Sequence, residues 1–183
     1  MINRKSFIVG VKSTKLSLSE KNFLKKYRPW GVILFSRNIN NIDQAKKLTF
    51  SIRKIFNDPN YPILIDQEGG RVNRLKKIIS FDNLTAEFFG KKFSKNHLEF
   101  KIFFKLFIDK TSFLLKSIGV NINTIPVLDV LRKNTNKIIG SRSFSHNKEI
   151  VKILGDITVR ECQKHKIISV IKHIPGHGCA TQD

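Results

Sequence analysis

Five short apolar, β-branched runs recur along this chain, at residues 7–11, 31–35, 62–65, 120–125 and 167–171. Between successive runs lie stretches whose apolar residues repeat at helical spacing. No feature of the sequence constrains the fold more. Strands alternating with helices argue for parallel βαβ units, because parallel strands cannot be joined by a tight turn.

The helical stretches carry their own start and stop signals. Ser17 followed by Glu20 forms a candidate capping box for a helix that runs to about residue 27. After Asn41, the residues Ile42, Ala45, Leu48, Ile52 and Ile55 repeat at helical intervals. A longer helix rich in Phe and Leu is predicted over 96–117, with Gly119 as its C-terminal stop, and a last one over about 147–165. Two long connections, 67–84 and 126–145, each follow a strand directly. Strand C-terminal ends are the active end of a barrel or an open α/β sheet, and loops of this length are usually functional.

Composition narrows the class. With 183 residues, 40% hydrophobic and 26% charged, the chain reads as one soluble domain over residues 1–183. Two cysteines, Cys162 and Cys179, suggest no disulfide framework, and no apolar run reaches membrane-spanning length. A reducing cytoplasm is therefore the expected compartment. The formal net charge of +20 comes mostly from lysine spread from Lys5 to Lys172, alongside abundant Asn, Ile and Phe. An AT-rich coding sequence gives that mixture, and pairs such as Lys25-Lys26 and Lys91-Lys92 read as solvated helix faces. Neither a nucleic-acid nor a membrane partner is expected. A basic nucleic-acid-binding protein stays as an alternative, opposed by the lack of any aromatic-basic recognition motif.

The chemistry-bearing residues follow the runs. After the third comes Asp66-Gln67-Glu68-Gly69-Gly70-Arg71, then Arg74. The glycine pair permits a tight turn, and carboxylates with arginines suit a ligand bearing many hydroxyls. The bland reading pairs one carboxylate with Arg71. After the fourth run come Asp129, read as tying down its own loop, and Arg142, read as reaching into a site. After the fifth come Lys172, His173, His177 and Cys179. The two histidines and the cysteine look superficially like zinc ligands, but Pro175-Gly176 breaks the helix that such spacing needs. Lys172 could form a Schiff base in a desolvated pocket, or Lys172 and His173 could donate hydrogen bonds to a sugar.

Taken together, Asp-Gln-Glu-Gly-Gly-Arg at 66–71, Pro-Val-Leu-Asp-Val at 126–130, Ile-Gly-Ser-Arg-Ser-Phe at 139–144 and Lys-His-Ile-Pro-Gly-His-Gly at 172–178 make a pattern. With the second run, it resembles glycoside hydrolase family 3 over nearly the whole chain, and most closely the bacterial β-N-acetylhexosaminidases. The resemblance implies a TIM (β/α)8-type barrel, of which the chain supplies about the first five βα units. It also implies retaining hydrolysis of terminal β-linked N-acetylglucosamine in peptidoglycan turnover, with no cofactor and no metal. The family's sugar contacts match Asp66, Arg74, Arg142, Lys172 and His173; Glu68 and Arg71 are expected as internal support, and His177 as loop architecture. Asp183 matches the aspartate of a histidine–aspartate acid/base pair whose histidine would fall two residues further on, and the family's nucleophile motif has no counterpart. The expectation is therefore a C-terminally incomplete barrel, weak or inactive alone, from an incomplete coding sequence; a split or interrupted gene and a completing C-terminal polypeptide are the alternatives. For function, the alternative is an inactive sugar-binding remnant.

Overall fold

The apolar runs become five parallel strands, and in the computed structural model, which describes residues 4–182, they pair in chain order. They are β1 (Lys5–Gly10), β2 (Pro29–Leu34), β3 (Ile63–Ile65), β4 (Ile122–Asn123) and β5 (Ile168–Ser169). A doubly wound sheet reverses its strand order at a switch point; a barrel does not. The unbroken order is that of a barrel wall. β4 and β5 are shorter than the runs that predict them, yet ladder bonds continue past both. The Thr124 N–H donates to the Ile65 carbonyl at 2.9 Å and the Val170 N–H to the Asn123 carbonyl at 3.0 Å.

Burial shows where the wall stops. β3 and β4 are buried along their full length, whereas Ile8 of β1 and Ile168 of β5 are exposed. Among the described residues, β1 and β5 each have a neighbour on one side only. This is a partial barrel with two open edges.

Local chemistry explains the helices. In α1 (Leu18–Tyr27), the Ser17 hydroxyl accepts from the Glu20 N–H at 3.2 Å, and the Glu20 carboxylate accepts from the Ser17 N–H at 2.8 Å. Ser17→Ala is expected to cost about 1 kcal/mol, read as a lower urea midpoint at unchanged m-value. α2 (Ile42–Phe56) starts at Asn41, whose side chain accepts from the Gln44 N–H, and buries Ala45, Leu48, Ile52 and Phe56. α4 (His97–Ser117) and α5 (Lys148–Lys164) match the predicted helices closely. Gly119 follows the end of α4 at φ +82°, where an L side chain would be strained and a Cβ would meet Thr49 Oγ1 at 2.5 Å.

One helix, around the Lys91-Lys92 pair read as a helix face, was given no bounds by the sequence. α3 (Ala86–Lys95) begins at Thr85, whose hydroxyl accepts from the Phe88 N–H. Gly90 in its middle interrupts the helical pattern, since glycine is a poor helix former. Its presence is a packing requirement: a Cβ there would lie 1.7 Å from the Phe144 carbonyl oxygen. The close approach seats α3 against the loop that carries Arg142. Phe89 and Phe104 are buried together with Phe107 and Phe144, and this aromatic cluster forms the floor under the two long loops.

Candidate active site

The polar residues of the long loops converge just beyond the C-terminal ends of β3, β4 and β5. Their positions rest on a buried amide clasp. The Asn123 side chain, fully buried at the end of β4, accepts from the Gln67 N–H at 2.9 Å and donates to the Gln67 carbonyl at 3.1 Å. Gln67, also buried, accepts in turn from the N–H groups of Arg74 and Leu75 at 2.8 and 3.1 Å. The turn between them is made by Gly69 and Gly70, at φ +97° and +56°, as the glycine pair predicts. Strand end and loop are thus locked by hydrogen bonds that neither makes alone.

On that support sits a network of two carboxylates and three cations. Asp66, the first residue past β3, accepts from the Thr124 hydroxyl and from Lys172 Nζ at 3.3 Å, with Arg74 Nη2 at 3.7 Å from its second oxygen. Glu68 is the more enclosed carboxylate. It accepts a two-pronged bond from Arg142, Nε at 2.8 Å and Nη2 at 2.9 Å, and a third from Lys172 Nζ at 2.6 Å. Paired, charge-assisted bonds of this kind fix both position and plane. Burial works against the charged form of each carboxylate, but the surrounding donors outweigh it. Thr124 and Lys172, with Arg74, hold Asp66 below the usual carboxylate range; Arg142 and Lys172 hold Glu68 there.

Two readings change here. Arg71 does not pair with Glu68 or Asp66: its guanidinium donates to the carbonyls of Lys137, Ile138 and Ile139, tying the two long loops together. Arg142 reaches Glu68 instead, because the Gly140–Arg142 turn brings it across from the other loop. Asp129 anchors more than its own loop. Its fully buried carboxylate accepts from His173 Nδ1 at 2.5 Å and from the His177 N–H at 2.5 Å, so it holds the loop after β5. Neighbouring strands of a parallel sheet put their following loops side by side, so an aspartate after β4 meets the β5 loop as readily as its own. Asp129→Asn is expected to cost about 1.5–3 kcal/mol, since an amide cannot accept both bonds as the carboxylate does. Urea denaturation at neutral pH measures it.

Lys172 is not placed as a Schiff-base amine. Its Nζ lies within bonding distance of Glu68, Asp66 and Thr124, a polar, anionic surround rather than the desolvated pocket such an amine needs. His177 packs edge-on to His173 with ring centroids 5.6 Å apart, and no group of three or more His, Cys, Asp or Glu fit for a metal occurs among the described residues. Asp66, Arg74, Arg142 and Lys172 are brought into one network, and His173 stands beside it on the Asp129 anchor. Asp183 lies outside the described residues. Sequence reading missed Thr124, which bridges Asp66 and Lys172, and the Asn123–Gln67 clasp. The signal available for both was a polar pair, Asn123-Thr124, inside an otherwise apolar run. A cleft of about 930 Å³ bounded by Leu16, Gln44, Lys47 and Ile78 shares no residue with this network. Convergence of reactive groups, rather than concavity, marks the site.

The order of motifs on this sheet has a counterpart among known proteins. The model of the glycosyl hydrolase family 3 N-terminal domain matches residues 3–183. This chain belongs to that family. A β-hexosaminidase of Hydrogenovibrio crunogenus is 35% identical over 176 residues, and one of Thioalkalivibrio sulfidiphilus is 31% identical over 177. Each alignment covers 96% of this chain, but the chain spans only about half the length of these curated relatives, 48% and 50%. Among solved structures, NagZ from Neisseria gonorrhoeae in complex with N-trifluoroacetyl-D-glucosamine superposes with a TM-score of 0.85 at 30% identity, over 97% of this chain and 53% of that one. A family 3 β-N-acetylglucosaminidase from Paenibacillus gives 0.82 at 27% identity, over 97% and 33%. The partial sheet is thus part of a family 3 barrel.

Proposed function

We propose that this chain carries the sugar-binding half of a retaining glycosidase that removes terminal β-linked N-acetylglucosamine from peptidoglycan fragments in the cytoplasm. The observation that carries this reading is the network at the strand ends, where Asp66 offers an acceptor and Arg74, Arg142, Lys172 and His173 offer donors around one small volume. A sugar presents hydroxyls that both donate and accept, so a mixed, rigidly held set of this kind fixes the ring's orientation. The glucosamine derivative bound by the gonococcal relative supports the choice of sugar.

In retaining hydrolysis a carboxylate nucleophile forms a covalent glycosyl-enzyme, which water then releases. Asp66 and Glu68 are already committed to cationic partners, so we assign them binding and support rather than nucleophilic attack. Asp183 is assigned to orient the acid/base histidine. Residues 1–183 act as one unit of the barrel domain, and the remaining strands of the barrel pair with the open edges of β1 and β5 and supply the nucleophile. No cofactor is needed for this chemistry.

A second reading, a sugar-binding module without catalysis, is favoured by one observation: both carboxylates of the network, Asp66 and Glu68, are held by cationic partners. Calorimetry with N-acetylglucosamine, beside a chromogenic aryl β-N-acetylglucosaminide assay, tests both. Saturable binding that Asp66→Ala weakens about tenfold or more supports the site, and absence of binding overturns it. Turnover on adding the remaining strands supports the glycosidase; binding without turnover under that condition supports the module.

A further inference from the structure

Helix α4 is apolar on two faces. The inner one, with Phe104, Phe107, Ile108, Leu114 and Leu115, lies in the core. The outer one carries Leu98, Ile102, Leu106 and Phe113, exposed by 74, 57, 60 and 55%. At about 100° per residue these four fall within an arc of roughly 80° pointing away from the core. Single exposed hydrophobics need no explanation, but an aligned row of four does.

Lysines frame the row. Lys101 and Lys105 lie along one flank, Lys110 along the other, and Lys116 at its C-terminal end. The two acidic residues of the helix are already engaged: Glu99 accepts from the Asn96 side chain at 2.8 Å and Asp109 pairs with His165 Nε2 at 2.7 Å. Asp109 falls inside that arc and Glu99 beside it, so the face carries Lys101, Lys105, Lys110 and Lys116 against two carboxylates and keeps a net positive charge. A second copy of the chain would set like net charge against like. A nucleic acid would pair with the lysines but has no use for the apolar row. No helix among the described residues is long and apolar enough to cross a membrane, whereas a helix with this pattern lies flat in the headgroup region.

We propose that the outer face of α4 docks on an anionic lipid bilayer. Leu98, Ile102, Leu106 and Phe113 enter the boundary between headgroups and acyl chains, and Lys101, Lys105 and Lys110 meet lipid phosphates. This departs from the expectation of no membrane partner, which treated the lysines as scattered. Only the folded helix gathers them around exposed apolar side chains. The face lies on a helix packed between α3 and α5, away from the open edges β1 and β5.

Cosedimentation of the 183-residue chain with vesicles tests the proposal. Equal mixtures of phosphatidylglycerol and phosphatidylcholine are compared with phosphatidylcholine alone. The anionic vesicles are expected to bind about tenfold or more tightly, and less so as salt rises. The pair Leu106→Asp and Phe113→Asp should lower binding at least about tenfold, and the triple Lys101→Glu, Lys105→Glu, Lys110→Glu should abolish the anionic preference. All are surface positions, and circular dichroism confirms that each variant stays folded. Ile168→Ser with Ile171→Ser, at the open edge, serves as the control and should leave binding unchanged. Equal binding to neutral vesicles, insensitivity to the α4 variants, or loss of binding in the edge variant would each overturn the proposal. So would lipid-free dimerisation that the Leu106 and Phe113 changes remove, which would assign the face to a second copy.

Discussion

Glu68→Ala is expected to destabilise the fold by about 3–5 kcal/mol, the usual result of removing one partner from a buried charge cluster. The carboxylate is only 7% exposed and answers both Lys172 and Arg142. Without it two cations are left partly buried, 15% exposed each, against the single carboxylate of Asp66. Sugar affinity should fall in parallel, because Lys172 and Arg142 lose the group that aims them. Glu68→Gln keeps the shape and separates the two effects: packing is retained while the charge is lost. The sign of the pH dependence follows from the direction of the shift. The folded carboxyl titrates below its ordinary value of 4.5, so its contribution is complete above that pH and is lost as pH falls through the lower, folded value. The stability gap between the native chain and Glu68→Gln should therefore be constant near neutrality and close in acid. A gap that is unchanged from pH 7 to pH 3 would show that the carboxylate is not held as a charge.

Phe104→Ala is expected to cost a similar amount, about 3–5 kcal/mol, through lost burial and the cavity left behind. Phe104 is 1% exposed and packs against Phe89, at a centroid distance of 4.7 Å, and edge-on against Phe144 at 5.7 Å. It joins α3, α4 and the loop that delivers Arg142. Chemical denaturation gives the loss directly. Sugar binding should also weaken, since Phe144 lies two residues from Arg142 and shares that floor. A stability loss with unchanged affinity would mean that the Glu68 pairing alone is enough to hold Arg142.

Much of this arrangement was legible in order and little of it in partnership. Ser17 with Glu20, Asn41 and Gly119 announce helix ends because capping and left-handed conformations are local demands, satisfied by residues adjacent in the chain. The extent of α3 stayed hidden because Gly90 answers a contact with Phe144, far along the chain, rather than its own helix. The partners of Arg71 and Asp129 were misjudged for the same reason, and the pairing of Arg142 with Glu68 was not visible at all. Each acts on a loop that follows a different strand, and only strand adjacency determines which loops meet.

By itself the sequence determined the alternation of strand and helix, the family motifs in their order, and the residue types available at each strand end. Those follow from periodicity and local conformation, which are properties of neighbouring residues. The tertiary structure decided that Glu68, not Asp66, is the centre of the charge network, that Thr124 joins them, and that the lysines of α4 surround an exposed apolar row. These are matters of which side chains share space once strands lie in register and one face of each helix is buried. Long-range packing alone sets them.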